Sequence, residues 1–203
     1  MTLQSSPGWV RERCGLLTAS RMRDALDYLK SGKESAARRQ YRIDLVAERA
    51  FDRTADHYVS PPMQRGLDYE PAAREKYEAR TGCIVEPARF VHDPTIEFFG
   101  GTPDAFVDTD GLAEFKVPMP NTFVAWCLGG EIPEDHLPQL LAQLSVTGRK
   151  WVDFCAYSPE GDKLFVRRLE RDDEAIAHIE AAAKAFLAEV DAEFERYVGL
   201  AAA

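Results

Sequence analysis

Nowhere among the 203 residues is there an apolar run approaching the ~18 residues that a membrane-spanning helix needs. The opening, MTLQSSPGWVRERCG, also lacks the apolar core of a secretory leader. A soluble, cytoplasmic protein with no membrane association is expected. Cysteine is scarce, and Cys14, Cys83, Cys127 and Cys155 stand far apart with no C-x-x-C pair. That spacing offers neither a zinc site nor a disulfide framework, and the four are expected to be reduced, mostly buried thiols. His57, His92, His136 and His178 show no paired spacing, and no Ser or Cys nucleophile triad finds support. There is no internal repeat, low-complexity tract or Gly/Ser linker, so one domain over residues 1–203 is expected.

The composition that is present, 45% hydrophobic and 29% charged, is that of an ordinary globular protein. A net charge of −9 argues against coating nucleic acid by bulk charge, because phosphate binding is driven by counterion release at Lys and Arg. The charge is uneven, however. Residues 1–53 carry eleven Lys and Arg against seven Asp and Glu, a balance of +4 that leaves −13 on the remainder. A basic N-terminal surface facing an acidic body is expected.

The pattern of elements is mixed. Ser20 is read as the N-cap of a helix with Met22, Ala25, Leu26 and Leu29 on one face, ended by Ser31-Gly32. A second helix is expected over about 35–52, and a third ends at Gly82 with Ala73 and Tyr77 inward. Pro71 is placed in the first turn of that third helix and Glu70 near its start. Between Cys83 and Val117 the periodicity becomes that of antiparallel strands, punctuated by Asp93-Pro94, Gly100-Gly101 and Asp110-Gly111. Two short helices follow, NTFVAWCLGG and HLPQLLAQLSVTG. Next come a hairpin across Ser158–Asp162 and a long amphipathic helix carrying Ile176, Ile179, Phe186, Leu187, Val190 and Phe194. The fold class is α/β (α+β), a central mixed sheet flanked by helices.

The segment GGTPDAFVDTDGLAEFKVP carries the chemistry. Side chains alternate along a strand, so Glu114 and Lys116 share a face while Phe115 points into the core, and a closed hairpin can set Asp104 beside Glu114. Two adjacent carboxylates repel unless a cation lies between them, and their oxygens suit Mg²⁺ or Mn²⁺. A neighbouring lysine can orient a water. Together these are the means of metal-assisted phosphodiester hydrolysis, with Glu114 and Lys116 expected to face a wet site. Separately, a helix starting at Ser20 would favour an anion, and Arg13 can pair bidentately with a phosphate.

Pro103-Asp104 followed by Glu114-Phe115-Lys116 resembles the PD-(D/E)XK nuclease signature, and three further segments resemble its YqaJ-type viral recombinase branch, the family of phage lambda exonuclease. These are Trp9-x-x-x-Arg13-x-Gly15-x-x-Thr18-Ala19-Ser20, Arg65-Gly66-x-x-x-Glu70-x-x-Ala73-Arg74-x-x-Tyr77, and Val146-Thr147-Gly148-Arg149 with Trp151 and Tyr157. The resemblance implies a restriction-endonuclease-like core and a 5′→3′ exodeoxyribonuclease that works on linear duplex ends and leaves 3′ single strands for recombination by annealing. It implies that Asp104, Glu114, Glu70 and the backbone carbonyl of Phe115 bind Mg²⁺ or Mn²⁺ and that Lys116 serves the water. It assigns Arg13, Thr18 and Ser20, with Thr102 nearby, to the 5′-phosphate. A homotrimer and a single-strand annealing partner also follow from it.

One position departs from the family. Glutamines two apart commonly precede V-T-G-R, but here Leu141 stands where the active-site glutamine belongs, with Gln139 and Gln143 one helical turn apart on either side. Gln139 is taken as the candidate, and Gln143 as the other residue able to substitute. An endonuclease of the same fold and a non-catalytic DNA-end-binding protein are the competing readings; the terminal-phosphate segment speaks against the first, and intact Asp104, Glu114 and Lys116 against the second. An iron–sulfur nuclease is disfavoured because the cysteines do not cluster toward the C-terminus.

Overall fold

The structure is a computed structural model that describes residues 7–54 and 60–201. The side chains of residues 7, 9 and 10 lie outside this description, Trp9 of the opening motif among them, as does His57.

Two sheets and seven helices are described. The larger sheet has strand order β2(Val85–Pro87), β5(Ala105–Val107), β6(Gly111–Lys116), β7(Trp151–Ser158), β8(Lys163–Glu170). Its β2–β5, β5–β6 and β7–β8 pairs are antiparallel and its β6–β7 pair is parallel, so the expected mixed sheet is present. The smaller sheet joins β1(Leu17–Thr18), β4(Phe99–Gly101) and β3(Val91–His92). The strands expected between Cys83 and Val117 are therefore shared between two sheets, β2, β5 and β6 in the larger and β3 and β4 in the smaller, where Asp93 shapes the β3–β4 turn: its carboxylate accepts the N–H groups of Thr95 and Ile96.

Helix α4(Pro61–Thr81) covers one face of the large sheet, packing Ala73 and Tyr77 against Ala105, Ala113 and Phe115. On the other face α5(Pro120–Gly129) and α6(Leu137–Thr147) supply Phe123, Leu140 and Leu144 against Leu112, Val152 and Phe154. A third core gathers α2(Met22–Ala25), α3(Ala36–Phe51), α6 and α7(Asp173–Ala201) around Leu17, Phe99 and Phe186. The remaining helix is α1(Pro7–Glu12). Helices end where the sequence provides a left-handed residue, at Gly82, Gly130 and Gly148. Gly111 is required by packing, since a Cβ there would lie 2.1 Å from the indole of Trp151, its partner in the β6–β7 ladder.

Three expectations are corrected and a fourth is qualified. Pro71 lies in the middle of α4, not in its first turn, because Pro61 and Pro62 take the start behind the Ser60 cap; Glu70 is therefore a mid-helix residue. Ser20 caps no helix. It sits inside a 3₁₀ turn, Ala19–Arg21, and the α-helix after it is a single four-residue turn, since the chain reverses through the Tyr28–Glu34 bridge and leaves Leu29 exposed. Of the cysteines only Cys155 is buried. The basic N-terminal stretch is only partly spent within the fold: Arg38 and Arg42 pair with Glu34 and Glu189, Arg42 also with Glu193, and Arg49 with Asp191, while Arg11, Arg21, Arg23, Lys30, Lys33, Arg39 and Arg53 are exposed. Long basic side chains on α3 meet acidic ones on α7, and partial burial makes it costly to leave either charge without its partner.

Candidate active site

The β5–β6 register pairs Ala105 with Ala113, and extending it by one residue sets Asp104 across from Glu114. Asp104 is fixed further by its side chain, whose Oδ2 accepts the Phe115 N–H at 2.7 Å. Glu114, 2% exposed, lies on the face covered by α6. Its Oε1 accepts hydrogen bonds from Lys116 Nζ and Gln139 Nε2, each at 2.6 Å, and its Oε2 accepts from Gln143 Nε2 at 2.7 Å. Lys116 Nζ also lies 3.4 Å from Gln139 Oε1. Glu114 is thus buried and triply bonded, contrary to the expectation of a wet carboxylate, whereas Lys116, at the end of β6, keeps partial exposure.

Both glutamines flanking Leu141 reach Glu114, because residues four apart on α6 share the face that meets β6. Leu141 itself packs among apolar side chains. Glu70 joins at one remove. Arg74, one turn further along α4, donates through one guanidinium nitrogen to Glu70 Oε1 at 2.9 Å and to the Asp104 carbonyl at 3.2 Å. Sequence reasoning gave Arg74 no role, although the Glu70–Arg74 spacing of four signals an ion pair on a helix. It also passed over the support beneath α4, where the Tyr77 hydroxyl donates to Asp153 at 2.6 Å and Arg168 grips that same carboxylate through two nitrogens.

Burial pushes the Asp104 carboxyl well above the usual carboxylate range, and the charges of Glu114 and Glu70 push it further. Burial acts on Lys116 in the direction of a lower pKa, but Glu114 and Asp104 outweigh it and hold the ammonium above its ordinary value. Three carboxylates thus face two cations, Lys116 and Arg74. The donors are hard oxygens carrying surplus negative charge, a set that fits Mg²⁺ or Mn²⁺ better than softer metals. No three Asp, Glu, His or Cys side chains converge into a ready-made cage among the described residues, so an ion here would complete its shell with backbone oxygen and water.

A second cluster forms in the N-terminal segment. Arg13 reaches the hydroxyls of Thr18 and Ser20 at 3.5 Å, the outer limit of a hydrogen bond, and those hydroxyls lie 3.3 Å apart. With only a 3₁₀ turn and a four-residue helical turn at Ser20, too short for a helix dipole to count, what could attract an anion is the guanidinium with the two hydroxyls. Thr18 pairs with Gly100, and Ala19 packs so closely on Gly101 that a Cβ there would meet it at 2.8 Å. Thr102 follows directly, two residues before Asp104, so one short stretch of chain links the two clusters. The Val146–Arg149 segment is structural. Gly148 ends α6, and Arg149 donates to the carbonyls of Val107, Asp108 and Gly111 at the β5–β6 turn.

A model of the YqaJ-like viral recombinase domain matches residues 8–150. The chain is similar to the crystal structure of an alkaline exonuclease, LHK-Exo, from Laribacter hongkongensis, with 36% identity and a TM-score of 0.88 over 97% of this chain and 98% of that one. LHK-Exo in complex with dAMP aligns with the same figures. A phage related exonuclease from Haemophilus somnus matches at 13% identity and a TM-score of 0.64, over 88% of this chain and 96% of that one, a likeness of fold alone. No curated protein matches the chain.

Proposed function

The chain belongs to the YqaJ-like viral recombinase family, and on that footing we propose that it is a divalent-metal-dependent exodeoxyribonuclease. In this reading it digests the 5′-ended strand of linear duplex DNA from its end and leaves a 3′ single strand for recombination by strand annealing. The observation that carries the reading is the meeting of Asp104, Glu114 and Lys116 at the end of β6 beneath the two amides of α6. The likeness to LHK-Exo, an exonuclease also seen with a deoxynucleoside monophosphate, supports it.

Asp104, Glu114, Glu70 and the Phe115 carbonyl are the groups assigned to Mg²⁺ or Mn²⁺. Such an ion, when bound, polarises the phosphoryl oxygen and makes water a better nucleophile. Lys116 is held charged, so it donates hydrogen bonds; its part is to orient the water and to stabilise negative charge building on the phosphate. Gln139 steadies the Glu114–Lys116 pair from both sides. Arg13, Thr18 and Ser20, with Thr102 beside them, are assigned to the terminal 5′-phosphate.

The reading extends to residues 1–203 as one domain, a homotrimer, a single-strand annealing partner and a cytoplasmic setting. No helix among the described residues is long and apolar enough to cross a membrane. Linear and covalently closed circular duplexes, each incubated with Mg²⁺ or with EDTA, test the activity. Digestion of the linear form alone, and only with metal, is expected. Cutting of the circle would make the protein an endonuclease, and no cutting of either would leave an end-binding protein.

A further inference from the structure

Gln143 has no exposed surface, and it lies on α6 one turn beyond Gln139. Its two amide atoms have opposite fates. Nε2 stands 2.7 Å from Glu114 Oε2, and an atom that close to a carboxylate oxygen must be a donor, so Glu114 dictates which way the amide faces. Oε1, in consequence, is buried without a hydrogen-bond partner. An orphaned amide oxygen is destabilising, and a methionine or leucine of similar volume would fill the space without it. Packing of α6 therefore does not account for a glutamine here, whereas the bond to Glu114 does.

We propose that Gln143 is a positioning residue: it fixes the second oxygen of Glu114 so that the carboxylate is presented in one orientation to a divalent cation, while itself reaching neither ion, DNA nor solvent. Gln139 differs, being part-exposed and also in contact with Lys116. The two amides, one on each carboxylate oxygen, leave Glu114 little rotational freedom, and a ligand held rigid binds its ion with less ordering to do. The proposal rests on reading Asp104 and Glu114 as metal-binding.

The test is Mg²⁺ and Mn²⁺ binding to the DNA-free protein by calorimetry, in wild type and Gln143→Met. The folded variant is expected to bind the ion about 10-fold more weakly, the usual scale for losing an outer hydrogen-bond partner of a ligand. Its kcat should fall with KM for DNA unchanged. Wild-type affinity in the folded variant would overturn the proposal. Because a buried substitution can prevent folding, the wild type supplies a second measurement. The Gln143 side-chain amide protons should exchange slowly and shift on Mg²⁺ titration, and fast exchange or unmoved resonances would overturn the proposal equally. Should the wild type bind no divalent ion, the functional reading itself fails; binding by both proteins alike removes only the role of Gln143.

Discussion

The backbone N–H of Phe115 donates to Asp104 Oδ2 at 2.7 Å, so one carboxylate of the acidic pair is anchored by the residue next to the other. The register of β5 and β6 brings Asp104 and Glu114 together, and this bond keeps Asp104 turned toward β6. Burial and mutual repulsion then leave Asp104 with a raised pKa, the condition in which a cation is most welcome.

Removing the ammonium should silence the site. Lys116→Ala is expected to lower the cleavage rate at least ~100-fold, the scale found when a charge-stabilising donor is lost. Initial rates on linear duplex at saturating Mg²⁺ give the answer, and near-normal rates in a folded variant would remove Lys116 from the reaction.

Glu114→Gln should cost stability as well as activity. An amide in place of the carboxylate removes the negative charge and turns one of its two acceptors into a donor, set against either Lys116 and Gln139 or Gln143, at a cost of about 1–3 kcal/mol at a buried site. Urea unfolding should show the midpoint falling together with the loss of cleavage. Unchanged stability would mean that the three hydrogen bonds to Glu114 contribute nothing to the fold.

The Asp104–Glu114 pairing could be read in the sequence because strand alternation and a short Asp110-Gly111 turn leave few registers open. The burial of Glu114 could not, since it depends on α6 lying over β6, a contact between segments far apart in the chain. The start of α4 was misjudged because Pro61-Pro62 and Pro71 compete for the first turn, and local preference alone does not say that a helix carries a proline in its middle. Charge counting could not show which basic residues of 1–53 are drawn into the fold, for a similar reason: the acidic partners of Arg38, Arg42 and Arg49 include residues of α7, at the other end of the sequence. Ser20 looked like a cap because Met22, Ala25, Leu26 and Leu29 share a helical period, yet the chain reverses before the second turn forms.

The α3–α7 pairing should contribute measurably to stability. Arg38, with 3% of its side chain exposed, is gripped by both oxygens of Glu189 at 2.8 Å. Glu189→Ala leaves that guanidinium to Glu34 and the Ala25 carbonyl and is expected to cost about 1–3 kcal/mol, as for other hydrogen bonds to charged groups. Denaturant titration at neutral pH measures it, and a shift within error of zero would make the pair a solvated surface contact.

His136 should make the protein acid-sensitive. It packs between Trp126 and Phe154, and burial, aided by the charge of Lys116, pulls its pKa down to about 4. The unfolded chain takes up that proton near pH ~6.5, so between ~6.5 and about 4 the unfolded state binds more protons and stability falls as the pH falls. His136→Gln, which has no proton to gain, should show a smaller loss across that window in parallel urea titrations. Identical profiles for the two proteins would place the acid sensitivity elsewhere.

Arg13 should matter only at phosphorylated ends. Arg13→Ala removes a charge-assisted contact worth roughly 1.5–3 kcal/mol, about 10- to 150-fold in rate. Wild type should prefer 5′-phosphate over 5′-hydroxyl duplexes, and the variant should not. Equal discrimination by both proteins would move the phosphate site away from Arg13, Thr18 and Ser20.

The central claim is polarity at a DNA end, and the most direct measurement is a time course on linear duplexes labelled at either the 5′ or the 3′ terminus, with Mg²⁺ present. Release of 5′ label as mononucleotide from the first time points, while 3′ label stays in long single strands, is the predicted result. Early release of 3′ label, or internal fragments from both substrates, would contradict it.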